Sequence, residues 1–136
     1  MFHKKDYENG HLQEIKLLSL LRSRFSESLE LTDRFHSFDY HSEKDKIFIE
    51  LKCRTNNKEK YDSTMIGYNK IEKARQYSPE YKIYFFFQFT DGLYYWLFNE
   101  VDLLNFEIRD GGRYDRKCGP EISKYVYIPV KFLKNI

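Results

Sequence analysis

The sequence predicts an α+β fold, an α/β sandwich built around one mixed sheet, and three observations predict it. Apolar residues recur at helical spacing early in the chain. Two strand-like runs then flank a polar turn, and a strongly aromatic hairpin follows a second helical stretch. In order these read as helix, three strands, helix, strand and further strands.

Leu12, Ile15, Leu18, Leu21 and Phe25 stand three or four residues apart, which predicts an amphipathic helix over residues 7–25. Gly10 argues for a start just after it, with Asn9 as the cap. Residues 28–31 are a short strand candidate. Residues 35–41 (FHSFDYH) and 46–53 (KIFIELKC) predict two strands joined by Ser42-Glu43-Lys44-Asp45. A second helix is expected to begin at Asp62 or Ser63, either of which can cap it, and to end before Pro79. Residues 81–89 and 93–98 predict a hairpin turning at Thr90-Asp91-Gly92. A short helix at 100–104, a glycine-rich basic loop at 110–119 and a strand at 125–130 complete the chain. With 136 residues the expectation is a single domain, its core at about 7–89 and a C-terminal β extension at about 90–136.

Bulk properties exclude several classes. A net charge of +2 is too small for a histone-like binder, yet compatible with a local basic patch. Cys53 and Cys118 have no CxxC spacing, so neither a disulfide framework nor a zinc site is indicated. Phosphate-binding P-loop, nucleophile-elbow and dinucleotide-binding glycine patterns are all missing from the sequence. No run approaches the ~20 apolar residues of a membrane span, and the first ten residues carry no apolar signal core. The expected setting is the cytoplasm, without membrane contact.

The chemistry lies in the middle hairpin. With a loop over residues 43–46, Ser42 pairs with Ile47, Tyr40 with Ile49 and Asp39 with Glu50. Alternation then puts Phe38, Tyr40, Ile49 and Leu51 on one apolar face and Asp39, Glu50 and Lys52 on the other. Two carboxylates facing each other at about 5 Å destabilise a hairpin unless something compensates them. A divalent cation does so, because hard oxygen ligands at that spacing chelate Mg²⁺ together. Lys52, two residues on, could hold or activate a water beside a scissile phosphate. A solvated polar face on an amphipathic hairpin is the plain alternative. A second Glu-x-Lys triplet, Glu80-Tyr81-Lys82, has no upstream strand aspartate to pair with.

Asp39 followed by Glu50-Leu51-Lys52 on an apolar strand resembles the D…(D/E)xK motif of the PD-(D/E)xK nucleases. That superfamily includes restriction enzymes, Holliday-junction resolvases and phage exonucleases. Its restriction-endonuclease-like core, helix–three strands–helix–strand, is similar to the order read over residues 7–89. The resemblance implies Mg²⁺- or Mn²⁺-dependent cleavage of DNA, with Asp39 and Glu50 as ligands and the Leu51 carbonyl as a third. It also implies a role for an acidic residue on the first helix, which Glu14 matches. The motif's proline is replaced by Phe38. Residues 50–76 also resemble small phage-encoded members, for which the setting is the host cytoplasm.

Further cations are candidates for phosphate contact: Arg54 at the strand exit, Lys70 and Lys73 on the second helix, and Arg113 in the glycine-rich loop. Against each stands the plain reading of a solvated surface charge. Aromatic residues 84–89 and 94–96 occupy both faces of their hairpin, which favours burial over base stacking. Two competing functions remain open at this point. One is a structure-specific, Holliday-junction-type resolvase; the other is a catalytically silent nuclease fold that binds DNA or a protein partner. A homodimer fits each reading, since so short a chain has little surface for a long site.

Overall fold

The apolar runs fold against both faces of a six-stranded sheet. The computed structural model describes residues 4–33, 35–113 and 121–136. Helix α1 (Lys4–Arg24) leads into strands β1 (Glu30–Leu31), β2 (Tyr40–Ser42) and β3 (Ile47–Cys53). Strand β4 (Ser63–Gly67) and helix α2 (Tyr68–Tyr77) follow, then the hairpin β5 (Lys82–Phe89) and β6 (Gly92–Leu97). Helix α3 (Glu100–Leu103), the hairpin-forming strands β7 (Glu107–Arg113) and β8 (Glu121–Pro129), and β9 (Lys134–Asn135) complete the described chain.

The main sheet has the order β1-β2-β3-β5-β6-β9. Its β3 and β5 run parallel, from Ile47 opposite Lys82 to Cys53 opposite Gln88, and its other pairs are antiparallel. A parallel pair needs a crossover, and β4 with α2 supplies it. The mixed α+β architecture agrees with the fold class read from the sequence. The expectation of a single sheet does not: β4, β8 and β7 form a second, three-stranded antiparallel sheet.

Alternation along β5 explains its rings. Ile83, Phe85, Phe87 and Phe89 enter a core with Ile66 of β4, Ile71 and Ala74 of α2, and Val126 and Ile128 of β8. Phe86 points the other way, to a core with Leu21 of α1, Leu29, Tyr40 and Ile49. The aromatic hairpin is therefore buried on both faces, as its composition predicts.

Four local expectations need correction. Helix α1 begins at Lys4 and passes through Gly10, so Asn9 is not its cap. Only its C-terminal half buries the expected stripe: Leu21 is 1% exposed, whereas Leu12 and Ile15 are 52% and 46% exposed. Residues 63–67 are strand and not the start of the second helix; they pair with β8, Ser63 opposite Pro129 through Gly67 opposite Tyr125. Residues 107–113, expected to run into a loop from 110, pair with β8 from Glu107 opposite Tyr127 to Arg113 opposite Glu121. The remainder of that expected loop, 114–119, lies outside the described residues.

Candidate active site and nearby cations

Where β2 begins decides the geometry of the site. The counted register holds, with Tyr40 opposite Ile49, His41 opposite Phe48 and Ser42 opposite Ile47. The strand does not continue to Phe38, however. The Asp39 N–H donates to the Ile49 carbonyl at 2.8 Å, while its own carbonyl accepts from the Thr32 N–H at 3.0 Å. Asp39 Oδ2 accepts the Leu51 N–H at 2.7 Å. A residue's N–H and C=O point to the same neighbouring strand, so the Leu51 carbonyl also faces the side where β2 pairing stops.

This break moves Phe38. It packs on Phe48 (ring centroids 5.4 Å apart) and Tyr77, in the core beneath α2. Tyr40 and Ile49 belong to the opposite core, so the expected four-residue apolar face is split. The face carrying Glu50 is consequently not a solvated surface. Glu50 is 4% exposed, covered from the α2 side.

Glu14 of α1, Asp39 and Glu50 converge. The Tyr40 hydroxyl donates to the Glu14 carbonyl at 2.7 Å, anchoring α1 over the start of β2. The Asp39 carboxyl interacts side chain to side chain with both Glu14 and Glu50. Burial, then the charge of Asp39, pushes the Glu50 carboxyl up to about 8. Burial likewise raises Asp39, against a lowering by its contacts with Glu50 and the Leu51 N–H, and it raises Glu14. A small cavity of about 70 Å³ beside Asp39 is lined by Glu14, His11, Asp33 and His36 among others.

Two lysines moderate this acidic cluster. Lys70 Nζ lies 2.8 Å from Glu50 Oε2 and donates to the Ser37 carbonyl at 2.5 Å. This ion pair is the contact that the buried Oε2 makes among the described residues. Lys52, half-buried on the same strand, lowers the Glu50 carboxyl by its charge and has no ion pair among the described residues. The helix pattern places Lys70 on a solvated face, as a candidate phosphate contact. In the structure its ammonium turns inward to the acids, and only the local excess of negative charge could have signalled that.

The other cations disperse. Arg54 leaves β3 and turns onto β4, its Nε donating to Thr64 Oγ1 at 3.1 Å and its Nη2 to the Met65 carbonyl. Lys73 is half-buried on α2, with no ion pair among the described residues. Arg113 ends β7, and its side chain lies outside the described residues. The residues 80 and 82 of the second Glu-x-Lys triplet are exposed, and Glu80 pairs with Lys46 at 3.9 Å.

The residues fit a hard cation in a particular way. As they stand, no three His, Cys, Asp or Glu side chains among the described residues have the spacing of a closed metal cage. Mg²⁺ seldom takes such a cage; it is typically bound by one or two carboxylates, with waters and substrate phosphates completing its shell. A buried carboxylate beside a second one, where the pairing of β2 with β3 has stopped, is that kind of open donor set.

Two comparisons with known proteins find a match, one for the family and one for the fold. A family model described as "Phage putative PDDEXK endonuclease" matches residues 4–136. Among solved structures, the chain is similar to D212, a nuclease from a fusselovirus, at 21% sequence identity and a TM-score of 0.50. That likeness covers 99% of this chain and 88% of the other, and at this identity it speaks to the fold. No curated protein matches the chain.

Proposed function

The chain belongs to the family of phage PDDEXK endonucleases, and on that premise we propose that it hydrolyses DNA phosphodiester bonds with a divalent cation, Mg²⁺ or Mn²⁺, at Asp39 and Glu50. The observation that carries the reading is the gathering of three carboxylates, Glu14, Asp39 and the buried Glu50, with Lys70 Nζ 2.8 Å from Glu50 Oε2. Like charges so gathered are costly in a folded protein, and a cation held by the cluster would offset that cost.

Asp39, Glu50 and the Leu51 carbonyl would hold the cation. When bound, it would lower the pKa of water and neutralise charge developing on the phosphoryl oxygens. The protein's own groups have separate tasks. The Leu51 N–H orients Asp39, and Lys70 orients Glu50 while keeping part of its charge compensated. Glu14 completes the acidic cluster from α1, its carboxyl raised by burial. Lys52, on the Glu50 side of β3, assists the attacking water and offsets charge on the scissile phosphate.

The test is cleavage of linear duplex, single-stranded and branched DNA with Mg²⁺, with Mn²⁺ and with EDTA. Turnover that requires the metal and is lost in Asp39→Asn is the expected result. Full cleavage by Asp39→Asn, or turnover unaffected by EDTA, sinks the assignment.

A further inference from the structure

Beyond the end of β3 lies a second concavity, built by residues that the catalytic reading does not use. Its volume of about 410 Å³ is in the range of sites that take a small-ligand-sized group. Arg54, Lys58 and Arg109 supply its charge, Tyr61 and Tyr127 its rings, and no acidic side chain lines it among the described residues.

Each cation is held differently. Lys58 pairs with Glu59 at 3.0 Å, and Arg109 with Glu107 at 3.3 Å, both acids being well exposed. The Arg109 guanidinium lies 4.0 Å from the centre of the Tyr127 ring, a stacked cation–π contact. Arg54 is the informative one. It is fixed by Thr64 and the Met65 carbonyl, lies 5.6 Å from the Phe87 ring centre and has no carboxylate partner among the described residues. Burial lowers its pKa, the mark of a cation taken from water without an anion. Tyr61 stands 58% exposed at the cleft, with Lys60 Nζ 5.5 Å from its ring centre.

We infer that this cleft holds one unpaired nucleotide of the DNA strand, its base against Tyr61 and its phosphate on Arg54 and Arg109. Rings beside fixed cations are how sequence-tolerant single-strand sites are built, stacking the base and neutralising the backbone. The position suits the same strand that is cut. Glu50, paired with Lys70 of α2, and Arg54, one residue past the end of β3 and held on β4, lie on the same side of the sheet. Four residues of strand span about 13 Å, roughly four stacked nucleotides. The proposal rests on the nuclease reading only for the statement that this strand is the one cleaved. It predicts a substrate with an unpaired segment near the scissile bond.

Binding of a fluorescent dT15 oligonucleotide, measured by anisotropy in EDTA, separates the two readings. Tyr61→Ala and Arg109→Gln are each expected to weaken it roughly fivefold or more. Arg109→Gln should also reduce the salt slope by about 0.7, one phosphate contact on a single strand. In wild type, a dT15 carrying 5-iododeoxyuridine should cross-link under ultraviolet light to Tyr61 or Tyr127. No dT15 binding by wild type, unchanged affinity in both variants, or cross-links confined to other regions overturns the proposal. Weakened dT15 binding in these variants, alongside full cleavage by Asp39→Asn, would uphold the cleft and remove the metal-site assignment.

Discussion

The Oδ2 of Asp39 occupies the place of a backbone acceptor, taking the Leu51 N–H at 2.7 Å where β2 would otherwise continue its ladder. The hydrogen bond ties the first carboxylate to the strand that carries the second. It also leaves the edge of β3 open beyond Asp39, which is where a ligand could reach the Leu51 carbonyl.

Two substitutions at Asp39 separate chemistry from folding. Asparagine keeps an oxygen for the Leu51 N–H, so Asp39→Asn should retain stability while losing a negative metal ligand. Cleavage is expected to fall by about a hundredfold or more. Asp39→Leu also removes the acceptor, and an unsatisfied N–H costs about 1–3 kcal/mol. Urea denaturation of both variants, run beside the cleavage assay, distinguishes them.

Glu50 makes the stability of the metal-free protein depend on pH. Its folded carboxyl is raised from 4.5 to about 8, so the folded state holds the proton more tightly than the unfolded chain. The stabilisation is therefore complete below about pH 4.5 and is lost as pH rises through 8, at up to about 1.4 kcal/mol per pH unit. In EDTA, melting temperature should fall between pH 5 and pH 8, and Glu50→Gln should flatten that slope. Metal binding needs the ionised form, so Mg²⁺ or Mn²⁺ should stabilise wild type more at pH 8 than at pH 6. A wild-type slope equal to that of Glu50→Gln would refute this account.

The sequence showed the parts of this site whose geometry is local. The register between Tyr40–Ser42 and Ile47–Ile49 could be counted because one short polar turn joins them. The nearness of the Asp39 and Glu50 carboxyls followed from the same count, although the ladder itself stops at Tyr40 and Ile49. Phe38 was misplaced because alternation holds only inside a strand, and the chain leaves the strand at Asp39. Residues 63–67 were misread because Asp62 and Ser63 are good helix caps, whereas their real partner, Tyr125–Pro129, is about sixty residues away. Lys70 has the spacing of a solvated helix position; the buried acid twenty residues earlier draws it inward, and nothing near Lys70 in the chain marks that. The Arg54, Tyr61, Arg109 and Tyr127 cleft draws on three separated segments for the same reason.

Lys70 should act on cleavage through Glu50. Its ammonium lowers the Glu50 carboxyl, so removing it in Lys70→Met raises that carboxyl further and depletes the ionised form at neutral pH. Cleavage near pH 7 is expected to fall about tenfold and to recover as pH rises, moving the acid limb of the profile upward. Lys70→Arg, which keeps the charge, should preserve most of the wild-type profile. A uniform loss across pH in Lys70→Met would assign the lysine to substrate binding, as the helix pattern alone suggested.

The assignment of residues 63–67 to a strand has its own test in adjacent residues. In β4, Ile66 is 2% exposed and packs with Val126, Ile128 and Phe87, whereas Met65 is 42% exposed on the other face. Ile66→Ala should therefore cost about 2–5 kcal/mol, while Met65→Ala should stay within about 0.5 kcal/mol. Val126→Ala, opposite Ile66 across the strand pair, should cost energy that is not additive with Ile66→Ala, because the two side chains border the same void. Urea midpoints of the two single variants and the double variant measure this coupling. Strict additivity, or equal costs at positions 65 and 66, would mean that β4 does not lie against β8 in this register.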